Sequence, residues 1–431
     1  MNPTALVFFL VNAVLLFALP RKWAPIPLIV GTAYMTVGSG IQLGGVNLPI
    51  YRMLLLVGLA RAVVKNEFSA IALNKIDKLL LAWAVWHIFA SFFHVHAEGS
   101  GPVYATGGVF NLLGAYFLIR VWTLDPESVL AIIRFTAIAL APLAFEMVLE
   151  HVTGKNMFSV FGRVTENAVI RNGKLRAQGP FPSPILAGTV GAACVPLMFA
   201  IWRENRNRAL IGLASCVVIV FTCNSSGPIM SFAAALGALF LWKWRHMTRT
   251  FRYIAVGMYL FLELAMSRPA YYVISKIDLT GSSTGYHRAR LIESAIIHLH
   301  EWWLFGTDFT RHWMATGVTF SPNHADITNY YLAFGVNAGV PAIFLIIAVL
   351  WCAFKTVGRA MGAAVERESD DEFIYWCIGA TIFAHAVTSI SVAYFGQSMF
   401  FFWMPVALMS SIYQGEQYEV EEEVELVPQT G

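Results

Sequence analysis

The sequence predicts an all-α fold, a polytopic transmembrane helical bundle of about 12–13 spans with a long, partly helical loop on its outer face. Three observations predict it. Hydrophobic residues make up 57% of the 431 positions and charged residues 13%, where soluble domains carry about 25% charged residues. The apolar residues gather into about 13 segments, several of them somewhat short of the roughly 20 residues that cross a bilayer core upright. Between 267 and 329 the pattern gives way to about 60 mostly polar residues, and a connection that long is usually functional or disordered. This one contains tryptophans and a helical pattern, so it reads as ordered.

The segments run roughly over 4–19, 24–38, 49–64, 78–94, 104–120, 128–149, 184–202, 209–223, 227–242, 253–267, 328–354, 373–393 and 398–413. The first has no basic stretch before it and no small-residue cleavage site after it, so it is expected to be a retained span. Segments 209–223 and 227–242 leave open a single re-entrant pair. The short loops carry Arg21, Lys22, Lys65, Lys75, Lys78, Arg120, Arg203, Arg206, Arg208, Lys243, Arg245, Arg249, Arg252, Lys355, Arg359 and Arg367. With 13 crossings these cations share one face, which the positive-inside bias makes cytoplasmic. Residues 1–415 then form the membrane domain, with loops at about 150–183 and 268–327 outside. The Glu-rich end, 416–431, is expected to be a solvated, disordered cytoplasmic tail. Cys194, Cys216, Cys223, Cys352 and Cys377 lie in or beside apolar segments, which gives neither a disulfide framework nor a cysteine metal site. No phosphate-binding glycine loop and no HExxH occurs, and nucleic acid is not an expected partner.

Three stretches carry candidate chemistry. In the first outer loop, Lys155, Arg163, Arg171, Lys174 and Arg176 face one interior acid, Glu166, a set suited to drawing in an anion. Arg176 either presents a bidentate fork to a phosphate or anchors the chain at the interface. Pro180, Pro182 and Pro184 suit a rigid start to the next helix. In the second loop, Leu291, Ile292, Ala295, Ile296, Leu299, Trp302 and Trp303 recur at helical spacing, with Arg290, Glu293, His300 and Glu301 largely opposite. An amphipathic helix over 286–303, lying on the membrane or on the bundle, is predicted. At about 100° per residue Arg288 and Arg290 point about 200° apart, so at most one faces a given site. Arg288 also lies near the helix start, where free N–H groups favour an anion.

The third stretch is 323–329. Asp326 or Thr328 suits a helix cap there. A histidine titrates near neutral pH, so His324 suits proton transfer, with Asp326 placed to orient it. His287, His298, His300, His312 and His324 are irregularly spaced, and no metal site is expected from them. The stretch 224–228 reads as a plain turn or as part of the site. Glu146, Glu263 and His385 lie inside apolar segments, where such groups face a cavity or make interhelical contacts.

Together these stretches resemble the O-antigen ligase and polymerase family of bacterial envelope glycosyltransferases. Arg176, Gly179, Phe181 and Pro184 resemble its pattern of an arginine, Gly-x-Phe and a proline ahead of a span. Arg288, Leu291, Ala295 and Gly306 resemble its Arg-x-x-Leu followed by an apolar helix and a glycine turn. His324, Asn329, Gly335 and Gly339 resemble its histidine and asparagine at the head of a span, followed by glycines. The family often has an arginine where this chain has Ser225 and Ser226, and an asparagine where it has Ile185. The separation of His324 from Asn329, with Asp326 between, is wider than in the ligases, and these departures favour a polysaccharide polymerase.

The resemblance implies an inner-membrane enzyme that needs no metal, nucleotide or other cofactor. It would move a glycan from an undecaprenyl-diphosphate carrier to a sugar hydroxyl on the periplasmic face, with membrane lipids and a glycan or lipid acceptor as partners. It would polymerise repeat units of an exopolysaccharide or O-antigen, the alternative being a ligase that joins a finished chain to lipid A–core. In that chemistry Arg176 and Arg288 hold the diphosphate and neutralise the leaving group. His324 is the base, and Asp326 or Asn329 positions acceptor or base. Arg290, Arg171 and Lys174 are further substrate-binding candidates. A transporter or flippase for lipid-linked sugars is the rival of another class. It would show inverted halves with matching broken helices, and the sequence shows no paired halves.

Overall fold

The computed structural model describes residues 1–44, 46–94, 101–277, 285–315, 317–318 and 321–426. The chain is all-α, with three small antiparallel hairpins among the described residues. In order come α1 (Pro3–Ala18), α2 (Pro25–Tyr34), the hairpin β1 (Gly40–Leu43) and β2 (Val46–Pro49), α3 (Ile50–Val64), α4 (Lys75–Ser91), α5 (Gly101–Trp122) and α6 (Pro126–Thr153). The hairpin β3 (Val169–Arg171) and β4 (Lys174–Arg176) precedes α7 (Pro184–Ala200), α8 (Arg206–Thr222), α9 (Ser226–Phe240) and α10 (Thr248–Ala265). The second long loop holds α11 (Gly285–Ile297), α12 (Leu299–Trp302), β5 (Gly317–Val318) and β6 (Ser321–Ala325). The chain closes with α13 (Tyr330–Glu366), α14 (Asp371–Thr388) and α15 (Ser398–Leu426).

Each of the 13 apolar segments falls on a helix. Four helical stretches are long and apolar enough to cross a membrane: Gly101–Trp122, Pro126–Thr153, Ser226–Ala265 and Tyr330–Glu366. Polar residues set where helices begin. Asn74 and Asp77 form a reciprocal capping box on α4, and Asp125 and Ser183 accept N–H bonds ahead of Pro126 and Pro184. A proline at that position gives up an N–H that no helix turn would have used.

Ion pairs draw the cation-bearing connections together at one end. Lys22 meets Glu127, Arg134 meets Glu127 and Glu204, Arg203 meets Asp370, and Arg245 meets Glu372. Arg120, read from sequence as one of these loop cations, is instead wholly buried against Asp77 at 2.8 Å. Pairing on both faces of its fork makes that burial tolerable.

The two long loops occupy the opposite end. There Asn2 bonds Val160 O, Thr36 bonds Gly162 O, Ala177 N–H bonds Thr222 O, and Gln397 bonds Pro180 O. α8 therefore runs from the end with Arg203 to the end with Arg176, and α9 runs back. The two helices run antiparallel between these ends. α7 is buried almost throughout and packs against α8, α9 and α14. Its Gly188 is required: a Cβ there would meet Cys223 Sγ at 2.3 Å.

The 286–303 helix predicted from periodicity breaks at His298 into α11 and α12. α13 is broken at Ala338 and Gly339. The turn after α12 fills the break, with Val340 N–H donating to Trp303 O and Thr307 N–H to Val336 O. Trp86 Nε1–H takes Ala338 O. Gly339 sits at φ +77°, and a Cβ on it would lie 1.9 Å from Leu304 O. Helix α15 carries a helical backbone to Leu426, into the stretch expected to be disordered.

Candidate anion site where the two long loops meet

The site is built on the tight turn between α8 and α9. Asn224 takes the left-handed conformation at φ 46°, and the chain reverses over the three residues 223–225 before α9 starts at Ser226. β4 lies along this turn. Ala177 N–H bonds Thr222 O, the Asn224 amide bonds Leu175 O, and Arg176 Nε–H donates to Cys223 O at 3.3 Å. Arg176 is thereby buried at the turn.

The segment after Arg176 is fixed from below. Glu150 Oε2 accepts the N–H groups of Gln178 and Gly179 at 3.0 and 2.8 Å. Asn156 donates to Gly179 O at 2.7 Å. Gly179 has φ +56°, and its Cβ would touch Leu143 at 3.0 Å. Glu146 accepts Met157 N–H, Glu263 accepts Ala270 N–H, and His385 bonds Tyr394. The acids and histidine singled out inside apolar segments thus brace loops and helices.

Arg288 arrives from the first turn of α11 and is 8% exposed. Its Nη2 lies over Gly227, 3.6 Å from where a Cβ would stand, with Ile185 and Val392 beside it. Its Nε is buried with no hydrogen-bond partner. Burial, then the nearby charge of Arg171, lowers the Arg288 pKa, and Asp326 acts in the opposite sense. Burial likewise lowers Arg176, which also feels Arg171. Arg171 therefore lies in the field of both Arg176 and Arg288, with Asp326 the acid that acts on Arg288. An arginine stays charged even so, and a buried cation with an unpaired N–H favours an anion. The first turn of α9 adds backbone N–H groups and the positive end of a helix dipole.

The sequence reading separates into parts. Arg176, Arg288, Arg171 and Asp326 come together, and the opposition of Arg288 and Arg290 holds. Arg290 is not brought to the cluster: it is exposed on the other side of α11, bonded to Glu293 and near Tyr272. Lys174 stands exposed at the hairpin tip, paired in register with Arg171. His324 is half-buried on β6, about 7 Å along extended backbone from Asp326. The cap of α13 is neither Asp326 nor Thr328. Asn329 Oδ1 accepts Leu332 N–H at 3.0 Å and its Nδ2 bonds Ile390 O at 2.9 Å. Both its polar atoms are committed to structure, because the chain turns into the helix one residue later than expected. The stretch 224–228, read from sequence as a plain turn or as part of the site, forms the turn onto which Arg176 and Arg288 fold.

A cavity of about 400 Å³, with none of the cluster residues in its lining, is lined among others by Arg52, His87, Tyr104, Asn111, Asn337 and Gln397. Arg52 is held there by Asn111 Oδ1 at 2.9 Å. The connection between α14 and α15 borders both features: Val392 flanks Arg288, and Ala393 to Gln397 line the cavity. No protein-family model matches the chain, and no curated protein matches it either.

Proposed function

We propose that this chain is a polytopic inner-membrane glycosyltransferase of 13 crossings with its two long loops periplasmic. In this reading it transfers a glycan from an undecaprenyl-diphosphate carrier to a sugar hydroxyl and builds polysaccharide by adding repeat units. One observation carries the reading. Two buried arginines, Arg176 and Arg288, meet the turn ahead of a helix N-terminus at one end of an apolar helical body, with Arg171 in the field of both, and Arg288 has an unpartnered N–H. A diphosphate on a lipid anchor matches that site, because its charge belongs at the membrane boundary while its tail belongs in the bilayer.

The chemistry follows. The bond from the anomeric carbon to the phosphate oxygen breaks, and the acceptor oxygen bonds to that carbon. Arg288 and Arg176 take up charge gathering on the departing diphosphate. Arg171 supplies a third positive charge beside the turn, where the resemblance calls for an arginine and the chain has Ser225 and Ser226. His324 receives the hydroxyl proton. The cavity, lined by aromatic rings and amides, is suited to the acceptor sugar. The break in α13 is the feature that would favour a transporter. Its free backbone groups are taken by Trp303, Thr307 and Trp86, which argues for a braced helix.

The test is the mass distribution of products from reconstituted protein given only undecaprenyl-diphosphate-linked oligosaccharide. A ladder of multiples with release of carrier diphosphate supports polymerisation. Donor that is consumed only after a separate acceptor is added supports a ligase. Intact donor that crosses the bilayer refutes the enzyme. Arg288→Ala with unchanged donor affinity and rate refutes the diphosphate role, and His324→Ala with unchanged turnover refutes the base.

A further inference from the structure

We propose that His298, Glu301 and His312 bind one transition-metal cation of the zinc class, and that the ion staples residues 298–312 beneath the strand that carries His324. The inference does not rest on the transfer reaction and uses no residue of the arginine cluster.

The geometry starts at the break between α11 and α12. His298 is the residue at the break, and its Nδ1 lies 2.6 Å from Glu301 Oε1. A turn then brings His312 back, with Nε2 3.0 Å from the same carboxylate. The three ligand atoms lie within 4.8 Å of one another. Tetrahedral zinc, with ligands at about 2.0–2.2 Å, sets its ligand atoms roughly 3.4 Å apart, so shifts of about 1 Å suffice. To ligate, each imidazole presents this nitrogen's lone pair and carries its proton on the other nitrogen, any extra proton leaving to solvent. Water completes the set, or His300, whose Nε2 is 3.9 Å from Glu301 Oε1.

The surroundings hold the ligands in place. Trp313 Nε1–H donates to Glu301 Oε2 at 2.9 Å, orienting the carboxylate. The His298 ring stacks on Trp313 with planes 10° apart, and the His312 ring stacks on Phe309 with planes 18° apart. Ala295, Trp302, Trp313 and Val336 pack as a small apolar floor. Fixed rings and a hydrogen-bonded carboxylate are the outer support that metal sites depend on. All three ligands remain partly exposed, which leaves a path for the ion. The staple reaches His324 through Thr310, whose N–H bonds Asn323 O and whose Oγ1 accepts Ala325 N–H, both at 2.9 Å.

The experiment uses full-length protein in detergent, freed of its affinity tag and stripped with a chelator. Zn²⁺ is titrated by calorimetry and Co²⁺ is followed by its d–d absorption. One ion per chain at micromolar affinity or tighter, with a tetrahedral Co²⁺ spectrum, is expected. Trp313→Phe removes the N–H to Glu301 and shrinks the ring stacked on His298, and roughly 10–100-fold weaker binding is expected, as for outer-shell changes generally. His298→Ala and His312→Ala should each lose more than that. An octahedral Co²⁺ spectrum, no stoichiometric Zn²⁺ heat, or binding unchanged in the His298→Ala/His312→Ala double variant overturns the proposal. If the double variant does not elute as a monodisperse species, the native Co²⁺ spectrum and the Trp313→Phe titration decide.

Discussion

Replacing Asp77 with asparagine tests how the end opposite the site is held. The Asp77 carboxylate accepts Arg120 Nε–H and Nη2–H, each at 2.8 Å, the Tyr116 hydroxyl at 2.7 Å, and the Asn74 N–H at 2.8 Å. Neither Arg120 nor Asp77 has exposed side-chain surface. Asparagine keeps the shape, removes the charge, and turns one acceptor into a donor that faces donors. The guanidinium stays buried without its counter-charge, which costs about 3–5 kcal/mol in measured buried pairs. At about 2–4 °C per kcal/mol for domains of 150–250 residues, and less for longer chains, Asp77→Asn should lower Tm by several degrees. Arg120→Met should cost about as much for the mirrored reason. The double variant Asp77→Leu/Arg120→Met should recover most of the loss, apart from about 1 kcal/mol for the capping box. Intrinsic fluorescence melts of Asp77→Leu, Arg120→Met and the double variant in one detergent close the cycle, with Asp77→Asn melted beside them. Single variants that melt with the wild type, or a double variant whose loss is the sum of the singles, would refute the argument.

Four other outcomes follow. Gly339→Ala forces a Cβ against Leu304 O at φ +77°; the left-handed conformation alone costs about 1–2 kcal/mol, and melts should show a larger loss than for Gly237→Ala, whose Cβ meets open space. Glu301 is desolvated, yet donors from Trp313, His312 and His298 hold its pKa down to about 2 from 4.5. A depressed carboxylate stabilises the fold above its unfolded pKa, so protection of the 298–313 amides should be full above about pH 4.5 and fade toward pH 2. Glu301→Gln should flatten that profile in hydrogen exchange. Arg290→Ala should leave donor affinity within error, whereas Arg288→Ala should lose at least about 10-fold, one charge-assisted hydrogen bond being worth about 1.5–3 kcal/mol; equal losses would misplace the site. Glu150→Gln keeps the shape but weakens two N–H contacts to the chain after Arg176, and donor affinity should fall although Glu150 is not placed on the ligand.

Helices were legible because each of the 13 apolar segments has to satisfy its own backbone, and the structure puts a helix on every one. Their partners were less so. Arg120 looks like any loop cation until Asp77, 43 positions earlier, folds onto it. Arg288 and Arg290 were separable because the angle between two residues of one helix is fixed by local geometry. Asn329 takes the capping role read from sequence for Asp326 or Thr328, because only Leu332 and Ile390 show where the helix begins. The His298, Glu301 and His312 group was missed because its spacing is set by the turn through Phe305 and Gly306. That turn exists to fill the break in α13, a tertiary requirement with no periodic trace.

The placement of the arginines explains why two distant loops are needed. Arg176 is positioned by a strand clamped to Glu150 and to the turn at Cys223, so its location belongs to the helical body. Arg288 is carried by a segment attached through α10, of which no residue is buried, and through the α12 turn docked in α13. One arm of the site belongs to the helical body and the other to a peripheral segment. In the proposed reading the donor diphosphate is held between Arg176 on the first and Arg288 on the second, and the Arg288 Nε–H, buried without a hydrogen-bond partner, is the group it would engage.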